Sequence, residues 1–328
     1  MVSPENIRIA VAVLQEGGLV AFPTETVYGL GAAALNAEAV AKIFEVKQRP
    51  RFDPVIVHVA NAEQAQTLVT SFDYRAKALA SSFWPGPLTL VLPRKDVVPD
   101  IVTAGLPSVA VRVPSHPVAQ ELLQQFGGPI AAPSANRFGS ISPTSAEHVL
   151  TCFGELFPIL DGGPTTVGIE STILDLTKET PVLLRPGATT REQIEQVIGA
   201  IEMKISDDGN PTAPGQFPRH YAPRLPMMLI PYDSQPQPIP GYRCACLLPT
   251  YQPTMGFHEV EVLSSNNSQK EMAVNLFAAL RRLEEMEVDC IIAVEAVPEG
   301  LGIAINDRLR RASTPKVELD KELNTDES

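Results

Sequence analysis

Six short clusters of polar and charged residues in this 328-residue chain stand where apolar runs end, and they are the residues that could do chemistry. The first is Pro23-Thr24-Glu25-Thr26-Val27-Tyr28-Gly29-Leu30-Gly31, whose hydroxyls and carboxylate suit the orientation of a small polar ligand on a loop. Next come Lys47, Arg49 and Arg51 around Pro50. A helix end accounts for Lys47, but three cations in five residues suit a polyphosphate, with Arg as a fork and Lys as a mobile point charge. Arg112 interrupts Val109-Ala110-Val111-Arg112-Val113, where a buried cation demands a carboxylate from the protein or from a ligand. Ser134-Ala135-Asn136-Arg137, Gly168-Ile169-Glu170-Ser171-Thr172 and Leu184-Arg185-Pro186-Gly187 complete the set. His58, between Val57 and Val59, reads more simply as a core histidine than as a catalyst.

Separate cations and hydroxyls distributed in this way fit a charged nucleotide together with a zwitterionic partner. The chemistry would be positioning and electrostatic stabilisation of phosphoryl oxygens. The sequence contains no G-x-x-x-x-G-K-[ST], and Gly29-Leu30-Gly31 lacks the third glycine of a dinucleotide fingerprint. H-E-x-x-H, G-x-S-x-G and the kinase motifs are also missing. Cys152, Cys244, Cys246 and Cys290 form no C-x-x-C pair, so they read as buried reduced thiols and no metal site is expected.

The elements that must position these residues follow from periodicity. Strands are expected at 18–22, 55–59, 88–92, 109–113, 130–132, 159–160, 171–176 and 182–184. Asn36 caps a helix running to about Gln48, with further helices near 74–83, 117–126, 144–153 and 191–199, the last opened by a Thr190-x-x-Gln193 capping box. Strands and helices in this irregular order predict a twisted, mixed α/β sheet. Later, 227–230, 244–248, 260–263 and 291–297 read as strands, with helices from a Ser268 capping box to about Glu287 and over 305–312. That block is a smaller, Rossmann-like α/β domain. The expected division is 1–204 for the larger domain, 205–241 for a proline-rich connector, 242–317 for the smaller domain and 318–328 for a disordered tail.

The formal net charge of −12 divides into −5 for residues 1–204 and −7 for the remainder, without the basic excess that a phosphate backbone attracts. The first residues lack a signal-peptide pattern, and no apolar run reaches the roughly 18 residues of a membrane span. A cytoplasmic protein is expected.

Phe22 to Leu30, Lys47-x-Arg49-Pro50, Ser134-x-Asn136, Ser171-Thr172 and Arg185-Pro186-Gly187 resemble, in order and spacing, the YrdC-like domain of threonylcarbamoyl-AMP synthases. Ala213 to Pro223 looks like the connector of the family's long form, and Gly300-Leu301-Gly302-x-Ala304-x-Asn306-x-Arg308 is similar to its C-terminal domain. The resemblance implies that L-threonine, bicarbonate and ATP give threonylcarbamoyl-AMP, pyrophosphate and water, in a nucleotidyltransferase reaction. The product would serve a downstream threonylcarbamoyl transferase in N6-threonylcarbamoyladenosine (t6A) modification of tRNA; direct tRNA binding stays open.

By the same resemblance, Thr26, His58, Arg112, Ala132 and Ser171 would hold threonine. Lys47 and Arg49 would act in catalysis and, with Asp53, Ser108, Ser134, Asn136, Ser142, Arg185 and Tyr221, would surround ATP. Mg²⁺ would arrive on the ATP phosphates, with no protein metal site. The connector would close over the nucleotide. Asp53 stands where the family commonly has Asn, and Gln216 where Met is usual. A carbamoyl-adenylate-forming relative and a non-catalytic RNA-binding module are the alternatives.

Overall fold

A computed structural model describes residues 2–50, 52–204 and 220–315. The chain forms two compact units, one of Met1–Phe138 with Ser142–Phe217 and one of Gly139–Ile141 with the chain from Pro218 onward. The connector residues up to Arg219, with Gln216 among them, and the expected tail lie outside the described residues, as does Arg51.

In the first unit, the described strands are β1 (Val20–Phe22), β2 (Gly29–Ala33), β3 (Val57–His58), β4 (Leu88–Pro93), β5 (Ser108–Arg112), β6 (Ile130–Ala131), β7 (Thr172–Asp175), β8 (Val182–Arg185) and β9 (Glu202–Met203). They build one sheet in the order β1-β2-β6-β3-β5-β4-β7-β8-β9. Three parallel pairs (β3 with β5, β4 with β7, β8 with β9) stand among antiparallel ones, giving the mixed sheet that the element order implied.

Strand alternation splits this sheet into two different faces. Val57, Leu90, Val109, Val111, Leu174 and Leu183 point into the large core, which Val40, Ile43, Leu68, Leu79 and Ile194 complete. Ile56, Val91, Ala110, Ile173, Val182 and Leu184 form a separate apolar cluster. The register sets these on the opposite face, because Val91 pairs with Ala110 and Leu90 with Val111. A third cluster joins the helix Pro4–Gln15 and the helix Pro117–Phe126 to Phe22, Ile130 and Ala132.

Local chemistry fixes the helix that carries the cations. Asn36 accepts from the N–H groups of Glu38 and Ala39, both at 3.1 Å, and opens Ala37–Lys47. Gln48 then takes a left-handed conformation (φ 54°), and the Arg49 N–H bonds back to Phe44 O at 2.9 Å. Lys47 is thereby held in the last turn and Arg49 just beyond it. At Thr190 the capping box forms as expected.

Several expectations change. Gly29–Ala33 is a strand, although its glycines read as a loop; a Cβ on Gly31 would lie 2.8 Å from Ile130 Cγ2 and from Phe22 Cε1, so glycine permits close packing here. Residues 159–160 make only an isolated bridge, Ile159 to Ala21. The helix Pro4–Gln15, capped by Ser3, had no counterpart among the expected elements. Ser268 caps the helix Gln269–Glu285, but Glu271 turns to accept from the Ser264 hydroxyl at 2.8 Å, so the box is half-formed.

In the second unit, β10 (Met227–Ile230), β11 (Cys244–Thr250), β12 (Glu259–Ser264) and β13 (Cys290–Val294) form a wholly parallel sheet in the order β10-β13-β11-β12. This is the smaller Rossmann-like layer. It takes in Met227–Ile230, from the stretch that reads as connector. The helix Leu301–Ala312 buries Asn306, Asp307 and Arg308. Gly139–Ile141 belong to this unit, where Gly139 O accepts from Ala222 N at 2.9 Å and Ile141 O accepts from Arg281 at 2.5 Å. Among the described residues no helix is long and apolar enough to cross a membrane.

Candidate active site

The face of the first unit's sheet opposite the large core has an apolar floor with a polar margin. Ile56, Val91, Ala110 and Ile173 make the floor. Period two adds His58 to Ile56 on β3, Thr89 to Val91 on β4, and Ser108 and Arg112 to Ala110 on β5. Ser171 precedes β7 on the same side as Ile173. His58, Ser108, Arg112 and Ser171 therefore share one face of neighbouring strands, a closer relationship than the strand ends expected from sequence.

Arg112 is the most tightly held of them. Its Nε donates to Gly86 O at 3.2 Å and its NH1 to Thr26 Oγ1 at 2.9 Å, while NH2 lies 2.7 Å from Glu25 Oε1. The protein thus supplies the carboxylate that a buried Arg requires. Thr26 is fixed in turn, its Oγ1 being 2.8 Å from that of Thr24, which donates to Val27 O at 2.6 Å. Register places His58 opposite Arg112. Burial, followed by the Arg112 charge, pushes the His58 imidazole down to about 3, and the Ile130 and Ile56 backbone offsets this only in part. His58 is neutral at physiological pH, and its Nδ1 makes no hydrogen bond of good geometry among the described residues.

A second group surrounds Ser171. Its Oγ is 2.8 Å from Thr89 Oγ1 and accepts from Arg185 NH2 at 3.2 Å, while its carbonyl accepts from Arg185 Nε and NH2 at 3.1 and 2.9 Å. Ser171 and Arg185, expected on different substrates, are directly bonded.

Lys47 and Arg49 form the third group. Lys47 is buried and donates to Ser134 O at 2.6 Å and to Asn136 O. Burial, then Arg49, holds its ammonium well below the usual lysine range. Arg49 NH2 lies 2.6 Å from Asp53 Oδ2 and donates to Pro54 O at 2.8 Å. Burial pushes the Asp53 carboxyl up to about 6, against the opposing pull of Arg49, Lys47 and Arg185.

Ser142 Oγ donates to Glu170 Oε1 at 2.5 Å. The Ala132 N–H donates to Ile56 O at 2.9 Å. Tyr221 belongs to the second unit, buried, with its ring 5.5 Å from that of Phe277 and the Arg308 guanidinium 5.4 Å above it. Sequence reasoning missed Glu25 as the partner of Arg112, Thr89, and the apolar floor. The alternation Ser108-Val109-Ala110-Val111-Arg112 carried the signal for that floor.

A family model described as telomere recombination matches residues 12–187, and the model of the threonylcarbamoyl-AMP synthase C-terminal domain matches residues 189–314. The chain is 45% identical over 324 residues to the threonylcarbamoyl-AMP synthase of Pyrococcus abyssi, covering 94% of each. The chain belongs to the threonylcarbamoyl-AMP synthase family. Its identity to the Bacillus subtilis member is 44% over 329 residues, covering 95% of this chain and 94% of the relative. It is also similar to the crystal structure of Pyrococcus abyssi Sua5 complexed with L-threonine, at 43% identity and a TM-score of 0.86, covering 94% of both chains. Like the other threonylcarbamoyl-AMP synthases, this chain is an enzyme.

Proposed function

We propose that the chain is a nucleotidyltransferase that converts L-threonine, bicarbonate and ATP into L-threonylcarbamoyladenylate, pyrophosphate and water. The amine of threonine and bicarbonate give the carbamate with loss of water. A carbamate oxygen then attacks the α-phosphorus of ATP, and pyrophosphate leaves. The observation that carries this reading is the buried Arg112 guanidinium bonded to the Thr26 hydroxyl at the margin of the apolar floor. A carboxylate on Arg112 and a hydroxyl beside Thr26 are what threonine would offer. The relative solved with L-threonine supports that choice of amino acid.

The threonine side of the site is Thr26, His58, Arg112, Ser171 and the Ala132 carbonyl, whose own N–H is already paired. The nucleotide side is Lys47, Arg49, Asp53, Ser108, Ser134, Asn136, Ser142 and Arg185, with Lys47 and Arg49 nearest the chemistry. Lys47 acts by shaping the Ser134–Asn136 turn, and the cations stabilise charge that develops on the phosphates. Mg²⁺ would come with ATP; the Ser142 hydroxyl and Glu170 carboxylate are hard oxygen donors of the kind it accepts. When bound, it neutralises the phosphate charge. The product would pass to a transferase acting on tRNA.

Calorimetric titration with threonine and with ATP tests this division. Arg112→Ala is expected to weaken threonine binding by at least about 30-fold, as for loss of a charged hydrogen-bond partner, with little change for ATP. Loss of ATP binding instead would refute the assignment.

A further inference from the structure

Glu25 is more than the counter-charge of Arg112. Its carboxylate is buried and reaches two partners: Oε1 is 2.7 Å from Arg112 NH2, and Oε2 accepts from the Ser115 N–H at 3.0 Å. The backbone on both sides is braced. Glu25 O accepts from Val167 N at 2.8 Å, and Pro114 O accepts from Gln120 Nε2 at 2.6 Å. The carboxylate is therefore held in place beside the guanidinium and does not merely fold over it.

A guanidinium has five N–H groups. Nε bonds Gly86 and NH1 bonds Thr26. NH2, although 2.7 Å from Glu25 Oε1, makes no hydrogen bond of good geometry among the described residues, so one N–H on NH1 and both on NH2 keep their donor capacity. One N–H on each terminal nitrogen makes the pair that a second carboxylate would take. Glu25 Oε1 accepts no hydrogen bond among the described residues, and Oε2 keeps a lone pair beyond the one that meets Ser115. Arg112 on the sheet face and Glu25 on the loop after β1 thus stand side by side as a cation and an anion.

We propose that the Arg112–Glu25 pair reads the substrate as a zwitterion and that Glu25 is the specificity-determining residue against simple anions. The proposal rests on the reading of this face as the threonine site. In an α-amino acid, one carbon separates the carboxylate from the ammonium, so the two charges fall to Arg112 and Glu25 respectively. A carboxylate lacking the amine meets Arg112 with its charge already neutralised, and must lie against the Glu25 carboxylate. Like-charge juxtaposition of this kind excludes wrong ligands more strongly than an added attraction selects the right one.

The test compares threonine with 3-hydroxybutyrate, which has the same hydroxyl and carboxylate but no amine, by calorimetry on the full chain. Wild-type protein is expected to prefer threonine by at least about tenfold, a typical effect of one close charge pair. Glu25→Gln is expected to weaken threonine and to tighten 3-hydroxybutyrate, while Glu25→Asp keeps the wild-type order. Equal weakening of both ligands in Glu25→Gln would make Glu25 a packing residue and overturn the proposal.

Threonine methyl ester, which keeps the ammonium and loses the carboxylate charge, supplies a measurement on wild-type protein alone. The pair predicts that the ester and 3-hydroxybutyrate both bind far more weakly than threonine. Binding of 3-hydroxybutyrate as tight as that of threonine would overturn the proposal without any variant. A wild-type protein that binds no threonine would instead overturn the threonine reading itself.

Discussion

Lys47 donates through Nζ to the main-chain carbonyl of Ser134 at 2.6 Å, joining the last turn of one helix to the turn that carries Asn136. The same ammonium also meets Asn136 O, so one side chain ties down both ends of the Ser134-Ala135-Asn136 segment. A lysine in a site that handles phosphate would ordinarily be assigned to the phosphate. Here its first effect is on the backbone that presents Ser134 and Asn136.

Replacing Lys47 by Met keeps much of its volume and leaves both carbonyls without the ammonium. Each lost partner costs about 1–3 kcal/mol when the acceptor is buried. A fall in Tm of at least about 4 °C is expected for a unit of this size, measured by calorimetry. Turnover should fall about 100-fold, as when reacting groups are displaced by an ångström. Full activity at unchanged Tm would show that the turn needs no such tie.

Asp53 makes stability depend on pH in a specific direction. Its carboxyl is pushed up to about 6 by burial, so folding favours its protonated form despite the Arg49 contact at 2.6 Å. A raised carboxyl contributes stability that is fully present below the unfolded value near 4 and is lost as pH rises through about 6. Asp53→Asn removes that loss. Thermal unfolding should find Asp53→Asn more stable than wild type at pH 7.5, with the gap closing at pH 5. A gap that widens on acidification would mean that the Arg49 pair outweighs burial.

The sequence makes some of this legible and hides the rest for physical reasons. Asn36 and Thr190 announce their helices because a cap is a local bond between residues two or three apart. The Arg112 side chain announces a need for a carboxylate, because a lone cation in an apolar strand is untenable. Which carboxylate answers it is decided by a contact spanning 87 positions, from Glu25 to Arg112, and no local pattern encodes that. Ser171 and Arg185 meet for the same reason, across β7 and β8. The strand Gly29–Ala33 is hidden because its glycines answer to the Phe22 and Ile130 side chains, which sequence reading cannot place.

In the second unit, the central charge is Arg308, fully buried, with NH1 2.7 Å from Asp307 Oδ2 and its guanidinium 5.4 Å from the Tyr221 ring. Arg311 Nε, at 3.1 Å, meets the other oxygen of Asp307. Arg308→Met leaves Asp307 buried with one cation where it had two. Destabilisation of about 3 kcal/mol is expected, the lower end for breaking a buried pair. Hydrogen exchange should accelerate in Leu301–Ala312 and around Tyr221. Unchanged protection there would mean that apolar contacts alone hold this helix.

Pyrophosphate release is the most direct test of the central claim. The purified chain is incubated with ATP and Mg²⁺, and pyrophosphate is followed with threonine and bicarbonate supplied together, singly, or not at all. Release is expected only when both are present, matched one for one by formation of threonylcarbamoyl-AMP, with no tRNA required. Release at the same rate without threonine or without bicarbonate would contradict the account.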